Sequence, residues 1–294
     1  MTEDRMTTEK DAVHAILLEM LDDIGVLCEK HGIRYSLYCG TLLGAVREGG
    51  LIPWDDDADL TMPADDCRRF FNLAQRELAD KYVVQDLQNT PSHPWLWVRV
   101  FRKGTTYLRN DWRDLKVHHG IAVDIYPMIG AADGRLPFRI QKAVLDLAKA
   151  LRHIDYWKVT GYPENRFQSC VGRMLSLIPE YLRRKGSIWL LHAAELPPYR
   201  TKKICTLDGA EFVPKYDRRD WRHLTKMSLN GRSFPVPAEY DRLLRIMYGD
   251  YMTPPPAYMR EDHGTAYGGA VIDTKKDYTV YLDSRTGKDK RKTG

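Results

Sequence analysis

A chain of 294 residues with 43% hydrophobic residues can bury a sizeable core, and this composition excludes a fibrous or wholly disordered protein. The net charge of +5 permits anionic substrates but is too small to indicate nucleic-acid binding. Five cysteines without a C-x-x-C pair suggest neither a zinc ribbon nor a disulfide framework, and no uncharged stretch approaches the ~18–20 residues of a membrane span. We therefore expect a soluble, cytoplasmic protein without a signal peptide.

The N-terminal part is predicted to run helix, strand, turn, helix. Apolar residues recur at helical spacing from Thr8 to His31, and residues 33–39 then alternate between apolar and polar as in a strand. The strand is expected to end at Gly40 and Thr41, before a short helical segment of sequence LLGAVR. A Gly-Thr turn beside a helix N-terminus suits the binding of a phosphate.

A second strand then carries two carboxylates on one face. Its apolar residues Ala58, Leu60 and Met62 are expected in the core, so Asp57 and Asp59 project together from the other face. Such a pair can hold one or two divalent cations together with a phosphate. Mg²⁺ is the expected ion because it completes its shell with water and phosphate oxygens, and Mn²⁺ is the alternative.

The rest of the chain divides into strands and then helices. Further strands are predicted at 82–87, 95–101 and 120–126, with a weaker one at 105–108. Helices are predicted at 141–159, in two segments across 170–196 that Pro and Gly separate, and at 239–249. We expect a catalytic core at 1–134, a helical insertion at 135–205, a C-terminal part at 206–272 that packs on the core, and a mobile basic tail at 273–294.

Asp124 supplies a third carboxylate. In the strand at 120–126, Ile121, Val123 and Ile125 face one way and Asp124 faces the other. From a neighbouring strand, Asp124 could complete the metal site or deprotonate an attacking hydroxyl. These parts together indicate phosphoryl or nucleotidyl transfer.

Two simpler explanations of the acidic run at 55–59 compete with a catalytic one. A run of aspartates is most often a solvated loop, but the apolar alternation that follows argues against it here. A calcium loop fits Asp55, Asp57 and Asp59 but fails at its turn, since Leu60 stands where that loop needs glycine.

A long motif then points to a family. The stretch YCGTLLGAVREGGLIPWDDDADLTMP resembles the signature of the LicD family, the phosphocholine transferase group of the nucleotidyltransferase superfamily that includes the fukutin-related enzymes. The resemblance continues more loosely through PWLWVRV, GIAVDIYPM and FPVPAEYDRLLRIMYGDYMTPPP, but it leaves out the helical region. It implies a nucleotidyltransferase-like α/β fold, a mixed sheet flanked by helices with a mainly helical insertion.

The resemblance also implies roles for the acidic residues. Asp57 and Asp59 would be the metal pair and Asp124 the third carboxylate, with Asp55 and Asp56 in support. The implied reaction moves phosphocholine, or a related phospho-alcohol, from a CDP-activated donor such as CDP-choline to a glycan or lipid-linked glycan hydroxyl. Asp124 would activate that hydroxyl, and CMP would leave.

Substrate contacts are expected from basic and aromatic residues around these strands. The basic candidates for phosphate are Arg47, Arg99 and Arg102. The aromatic residues that could surround a choline ammonium are Trp95, Trp97, Tyr107, Trp112 and Tyr126, and Trp54 precedes the acidic run. Gly40 and Thr41 complete the predicted binding set.

Other functions stay open at this point. A basic patch at Arg183, Arg184 and Lys185 could hold the protein at the inner face of an anionic membrane. A nucleotidyltransferase that uses an NTP and releases pyrophosphate is the competing enzyme. A non-catalytic glycan- or nucleotide-binding module is the competing non-enzyme, although such a module has no need of a repulsive carboxylate cluster.

Overall fold

The structure, a computed structural model, describes residues 3–207, 215–266 and 268–286. The helices are α1 (Glu3–His31), α2 (Cys39–Arg47), α3 (Ala64–Glu77), α4 (Arg135–Thr160), α5 (Arg166–Leu175), α6 (Glu180–Ala194), α7 (Tyr240–Tyr248), α8 (His263–Ala266) and α9 (Thr279–Thr286). The strands are β1 (Ser36–Leu37), β2 (Ala58–Pro63), β3 (Tyr82–Gln85), β4 (Val98–Arg102), β5 (Thr106–Arg109), β6 (Ala122–Ala131), β7 (Lys203–Thr206), β8 (Tyr216–Asp217), β9 (Leu224–Leu229), β10 (Arg232–Pro237) and β11 (Ala270–Asp273).

A mixed sheet forms the centre, in the order β1-β2-β6-β4-β3. β2 and β6 are parallel, and the other pairs of this sheet are antiparallel. The second half of β6 also pairs with β7, which pairs in turn with β8. The fold is therefore the mixed α/β class that the sequence predicts.

One face of this sheet is apolar and packs on helices. Leu60, Val123 and Ile125 are fully buried in a core that also contains the inward side of α1 and Phe70 of α3. Because side chains alternate along a strand, Asp59 of β2, Arg99 of β4 and Asp124 of β6 lie together on the opposite face. The predicted alternation is confirmed on both strands that carry the aspartates.

Several element boundaries differ from the expectation. The strand expected at 33–39 is reduced to β1, because Cys39 adopts a positive φ of 40° and begins α2. Gly40 and Thr41 therefore lie in the first turn of a helix. β6 continues past the expected end at Tyr126 to Ala131, where β7 supplies new backbone partners.

The region 135–205 is helical as predicted, and α4 packs along α6. The prediction of a basic surface patch at 183–185 is wrong for Arg183, which is buried and pairs with Asp155 at 3.1 Å. A side chain that is directed inward cannot contribute to a surface patch. None of the helices in the described ranges is long and apolar enough to cross a membrane.

The C-terminal part returns to the core. β9 and β10 form a hairpin through Asn230 and Gly231, both at positive φ, as a two-residue hairpin turn requires. The side chain of Asn230 accepts the Leu51 N–H at 2.9 Å, which fixes the turn before the acidic run. β11 pairs with β5. Part of the tail predicted to be mobile forms α9, and the basic segment 288–292 lies outside the described residues.

Candidate active site

Three carboxylates converge on the polar face of the sheet. β2 and β6 are parallel neighbours whose register places Asp59 beside Asp124, and Asp57 precedes Asp59 by two residues. One carboxylate oxygen from each of the three lies within 4.8 Å of the others. Asp59 and Asp124 are 8% and 4% exposed. Three carboxylates this close repel one another strongly, so the arrangement favours a bound cation.

Asp124 is held firmly by two donors from β4. The Arg99 Nε–H donates to its Oδ1 at 2.6 Å, and the Trp97 Nε1–H donates to its Oδ2 at 2.9 Å. A carboxylate has about four acceptor positions, so each oxygen keeps one for a further partner. The arrangement fixes the orientation of the Asp124 carboxylate.

The Arg99 guanidinium is enclosed by aromatic rings. It is 6% exposed and lies 4.5 Å from the ring centre of Trp95 and 5.3 Å from that of Trp112. These contacts are cation–π interactions. Two of the five aromatics expected around a choline ammonium therefore already surround a cation that belongs to the protein.

Two other expected aromatics border the carboxylates directly. Trp97 and Tyr126 are half-buried, and their ring centres lie 4.9 Å apart at an angle of 31°. Tyr38 extends this wall, 5.6 Å from Tyr126. Burial, and then the charges of Asp59 and Asp124, raise the pKa of the Tyr126 phenol. Tyr126 thus stays neutral beside the anionic cluster.

Asp55 and Asp56 form a second group of aspartates with Asp57, again with one oxygen from each residue within 4.8 Å of the others. Asp56 is buried and accepts the Tyr107 hydroxyl at 2.5 Å and the Gly264 N–H at 3.1 Å. Burial, followed by the charge of Asp56, raises the pKa of Tyr107 and keeps it a donor. Asp56 therefore ties the acidic run to β5 and α8.

The start of α2 is locked onto the backbone of Asp59. The Asp59 N–H donates to Thr41 Oγ1 at 2.8 Å, and the Tyr38 N–H donates to the Asp59 carbonyl at 3.0 Å. Thr41 is 1% exposed, so its hydroxyl positions the strand. A Cβ on Gly40 would lie 2.6 Å from Asp55 Oδ2, so a larger residue would have to displace that carboxylate.

The three predicted phosphate-binding arginines are placed differently. Only Arg99 contacts the carboxylates. Arg47 pairs with Glu48 at 2.7 Å and lies 5.8 Å from the Trp54 ring centre, next to the acidic run. Arg102 is directed to the α1 side of the sheet, where it pairs with Glu19 at 3.1 Å. The structure does not bring Arg102 to the cluster.

Two residues near the site escaped the sequence analysis. Desolvation of its hydroxyl, followed by the charges of Cys39, Asp59 and Asp55, raises the pKa of Tyr248, so α7 brings a phenol within the electrostatic reach of the cluster although the residue is 43% exposed. Arg260 lies 5.2 Å from the ring centre of Trp54. Both residues are far from the acidic run in sequence, and neither stands in a local pattern that predicts chemistry.

Comparison with known proteins points to one family. Residues 32–135 match the LicD/FKTN/FKRP nucleotidyltransferase domain family. The chain is 27% identical over 269 residues, 84% of its length, to the lipopolysaccharide cholinephosphotransferase LicD of Haemophilus influenzae, and covers 93% of that protein. It is 33% identical over 107 residues, 31% of its length, to the mouse ribitol 5-phosphate transferase FKRP, of which the match covers 21%.

A third relative has no assigned activity. An uncharacterized Rickettsia prowazekii protein, RP689, is 44% identical over 92 residues, 25% of this chain and 35% of the relative. The family match includes Gly40 and the aspartates of β2 and β6 but ends before Tyr248 and Arg260. Together with the fold, these findings show a LicD-type nucleotidyltransferase domain at residues 32–135, and the similarity to the cholinephosphotransferase supports an enzyme of the phosphotransferase type.

Proposed function

We propose that this enzyme transfers a phospho-alcohol, with phosphocholine the favoured group, from a CDP-activated donor to a glycan hydroxyl and releases CMP. The observation that carries the proposal is the contact between the carboxylates and an aromatic wall, made by the Trp97 indole N–H on Asp124. Anionic oxygens for a metal and phosphate thus adjoin ring faces for a quaternary ammonium. The lipopolysaccharide cholinephosphotransferase relative supports choline.

The donor set fits Mg²⁺ or Mn²⁺. Asp57, Asp59 and Asp124 offer only oxygen ligands, which these hard cations prefer, and their oxygens lie close enough together to share one ion. Bound there, the metal would neutralise charge on the donor diphosphate and on the transferred phosphoryl group. Arg99 is committed to Asp124 and would act through that carboxylate.

The carboxylates divide the remaining work between them. Asp124 is held by two donors and is 4% exposed, which supports a ligand role. Asp57 is half-buried and directly precedes β2, so one of its carboxylate oxygens is better placed than Asp124 to accept the proton of the acceptor hydroxyl while the other holds the ion. The hydroxyl oxygen then attacks the distal phosphorus, and the bond to CMP breaks.

The chemical identity of the alcohol is tested by a donor panel. CDP-choline, CDP-ribitol, CDP-glycerol and NTPs are each incubated with acceptor glycan and Mg²⁺, and released nucleotide and pyrophosphate are measured. We expect CMP release to be fastest with CDP-choline. Pyrophosphate release from an NTP would overturn the proposal in favour of nucleotidyl transfer.

A polyol phosphate is the second candidate, because the family also contains the ribitol 5-phosphate transferase relative. Replacing Tyr126 by leucine separates the two donors. It removes a cation–π partner, which should raise the KM for CDP-choline about tenfold while changing that for CDP-ribitol little. Trp189→Phe, at an exposed tryptophan of α6, is the control and should leave both constants unchanged. Equal effects of Tyr126→Leu on both donors would argue against an ammonium at this wall.

A further inference from the structure

The exposed apolar surface of this protein is concentrated in its helical region. In the parts of the chain that the structure describes, most large hydrophobic side chains that face solvent lie between Leu136 and Tyr199, whereas residues 10–134 contribute only Val26. Scattered single exposed hydrophobics are normal, but a contiguous group marks an interaction site. This group of exposed apolar side chains therefore indicates a surface that another molecule covers.

α5 has the strongest form of this feature. Phe167, Cys170, Met174 and Leu177 follow one another at helical spacing from α5 into the loop after it, and all four are exposed. We refer to these four residues as the α5 face. The opposite side of the helix packs on the protein through Gly172, where an added Cβ would lie 3.0 Å from Tyr162 and 3.1 Å from Trp157. The helix thus turns its apolar stripe toward solvent.

Positive charge lines the same helix. Arg166 and Arg173 are exposed and adjoin Phe167 and Met174 in sequence, and α5 contains no acidic residue. At the start of α6, Tyr181 and Leu182 are 61% and 54% exposed. The Lys185 ammonium lies 4.5 Å from the ring centre of Tyr181. An apolar stripe edged by cations is the pattern of a helix that lies in the headgroup region of an anionic membrane.

We infer that the α5 face inserts into the surface of an anionic lipid bilayer, with Arg166 and Arg173 at the headgroups. A protein partner or a second copy of the chain would cover the apolar residues equally well. The two exposed arginines of α5, a helix with no acidic residue of its own, favour lipid over both. This surface differs from the patch predicted at 183–185, since Arg183 is buried and the contact depends on α5.

The first test is flotation of the full chain with vesicles, in the absence of donor and acceptor. We expect it to bind mixed phosphatidylcholine–phosphatidylglycerol vesicles, to release them at high salt, and to bind pure phosphatidylcholine far more weakly. Arg166→Gln and Arg173→Gln should each weaken binding about fivefold. Arg219→Gln, at an arginine whose side chain is 87% exposed outside the face, is the matched control and should change little.

The apolar contribution is tested by the triple substitution Phe167→Gln, Met174→Gln and Leu177→Gln. All three side chains are more than half exposed, so the fold should be retained, as thermal unfolding would verify. Vesicle affinity should fall more than about tenfold. The control carries Val26→Gln, Tyr258→Gln and Met259→Gln, which remove similarly exposed apolar groups elsewhere and should leave the affinity unchanged.

A fluorophore on Cys170 can report whether the α5 face inserts into the bilayer. Cys170 is the exposed one of the cysteines, so an environment-sensitive fluorophore can be attached there after Cys39→Ser removes the half-buried thiol. The emission should shift to the blue on mixed vesicles. The same fluorophore on a Val26→Cys, Cys170→Ser protein should not shift.

Three results would overturn the inference. They are failure of the chain to bind anionic vesicles, equal affinities of the two triple variants, and a dimer in light scattering that the substitutions in the α5 face convert to monomer. Because no substrate is present, each of these results leaves the proposed phosphotransfer untouched.

Discussion

Arg99 should be essential to the stability of the carboxylate site. It pairs with Asp124 at 2.6 Å, and the two residues are 6% and 4% exposed, so Arg99→Gln leaves a buried carboxylate without its cation. Breaking a buried pair in this way costs about 3–5 kcal/mol. Arg102→Gln is the matched control on the same strand. Its pair with Glu19 is 24% and 41% exposed, so it should cost less than about 1 kcal/mol.

Urea unfolding of the single and double variants measures the coupling. In the Arg99→Gln background, Asp124→Asn should cost about 2 kcal/mol less than it does alone, because the Arg99 cation that it would leave unpaired is already absent. Saturating Mg²⁺ should also restore part of the stability lost in Arg99→Gln, since the ion replaces the missing positive charge. Equal losses for Arg99→Gln and Arg102→Gln, with no coupling to Asp124, would refute this account of the site.

Two further predictions concern local packing and pH. Gly40→Ala should slow nucleotide release, because the new Cβ would lie 2.6 Å from Asp55 Oδ2 and displace this carboxylate. Gly186→Ala, with 3.7 Å to its nearest neighbour, should leave the rate unchanged in the same assay. Burial lowers the pKa of His119 to about 4, whereas the imidazole of the unfolded chain is protonated below about pH 6.5. The folded state therefore loses stability relative to the unfolded state as the pH falls from 6.5 to 4. Wild type should lose about 2 kcal/mol more than His119→Gln between pH 7 and 4.5 in urea unfolding; parallel pH profiles would contradict the shift.

The sequence was most informative where a strand alternates. The apolar residues of β2 and β6 predicted that Asp57, Asp59 and Asp124 face away from the core, and the structure confirms that facing. The sequence could not show that β2 and β6 are parallel neighbours, because pairing between distant strands leaves no local pattern.

Strand periodicity also separates the predicted arginines. Arg99 and Arg102 are three positions apart on β4, which places them on opposite faces of the sheet. That signal was present in the sequence, and together with the position of Asp124 it distinguishes the two residues. The orientation of Arg47 beside Trp54 depends on the Tyr251 carbonyl, which accepts from it at 3.2 Å, and no spacing reveals such a contact.

Residues brought in by tertiary packing were beyond sequence reasoning. Tyr248 of α7 lies within the electrostatic reach of Asp59 and Asp55, and Gly264 donates its backbone N–H to Asp56 from α8. A backbone donor carries no side-chain signature at all. The positive φ of Cys39, which converts the expected turn into the start of α2, is equally invisible because cysteine has no preference for that conformation.

The central claim is that Asp57 and Asp59 hold the ion on which transfer depends. The most direct test is Mg²⁺-dependent CMP release from CDP-choline by Asp57→Asn and Asp59→Asn, with Asp65→Asn as a control at a 70% exposed aspartate of α3. Both site variants should lose more than about a hundredfold in rate, and the control should match wild type. Unchanged Mg²⁺-dependent release by either site variant would contradict the account.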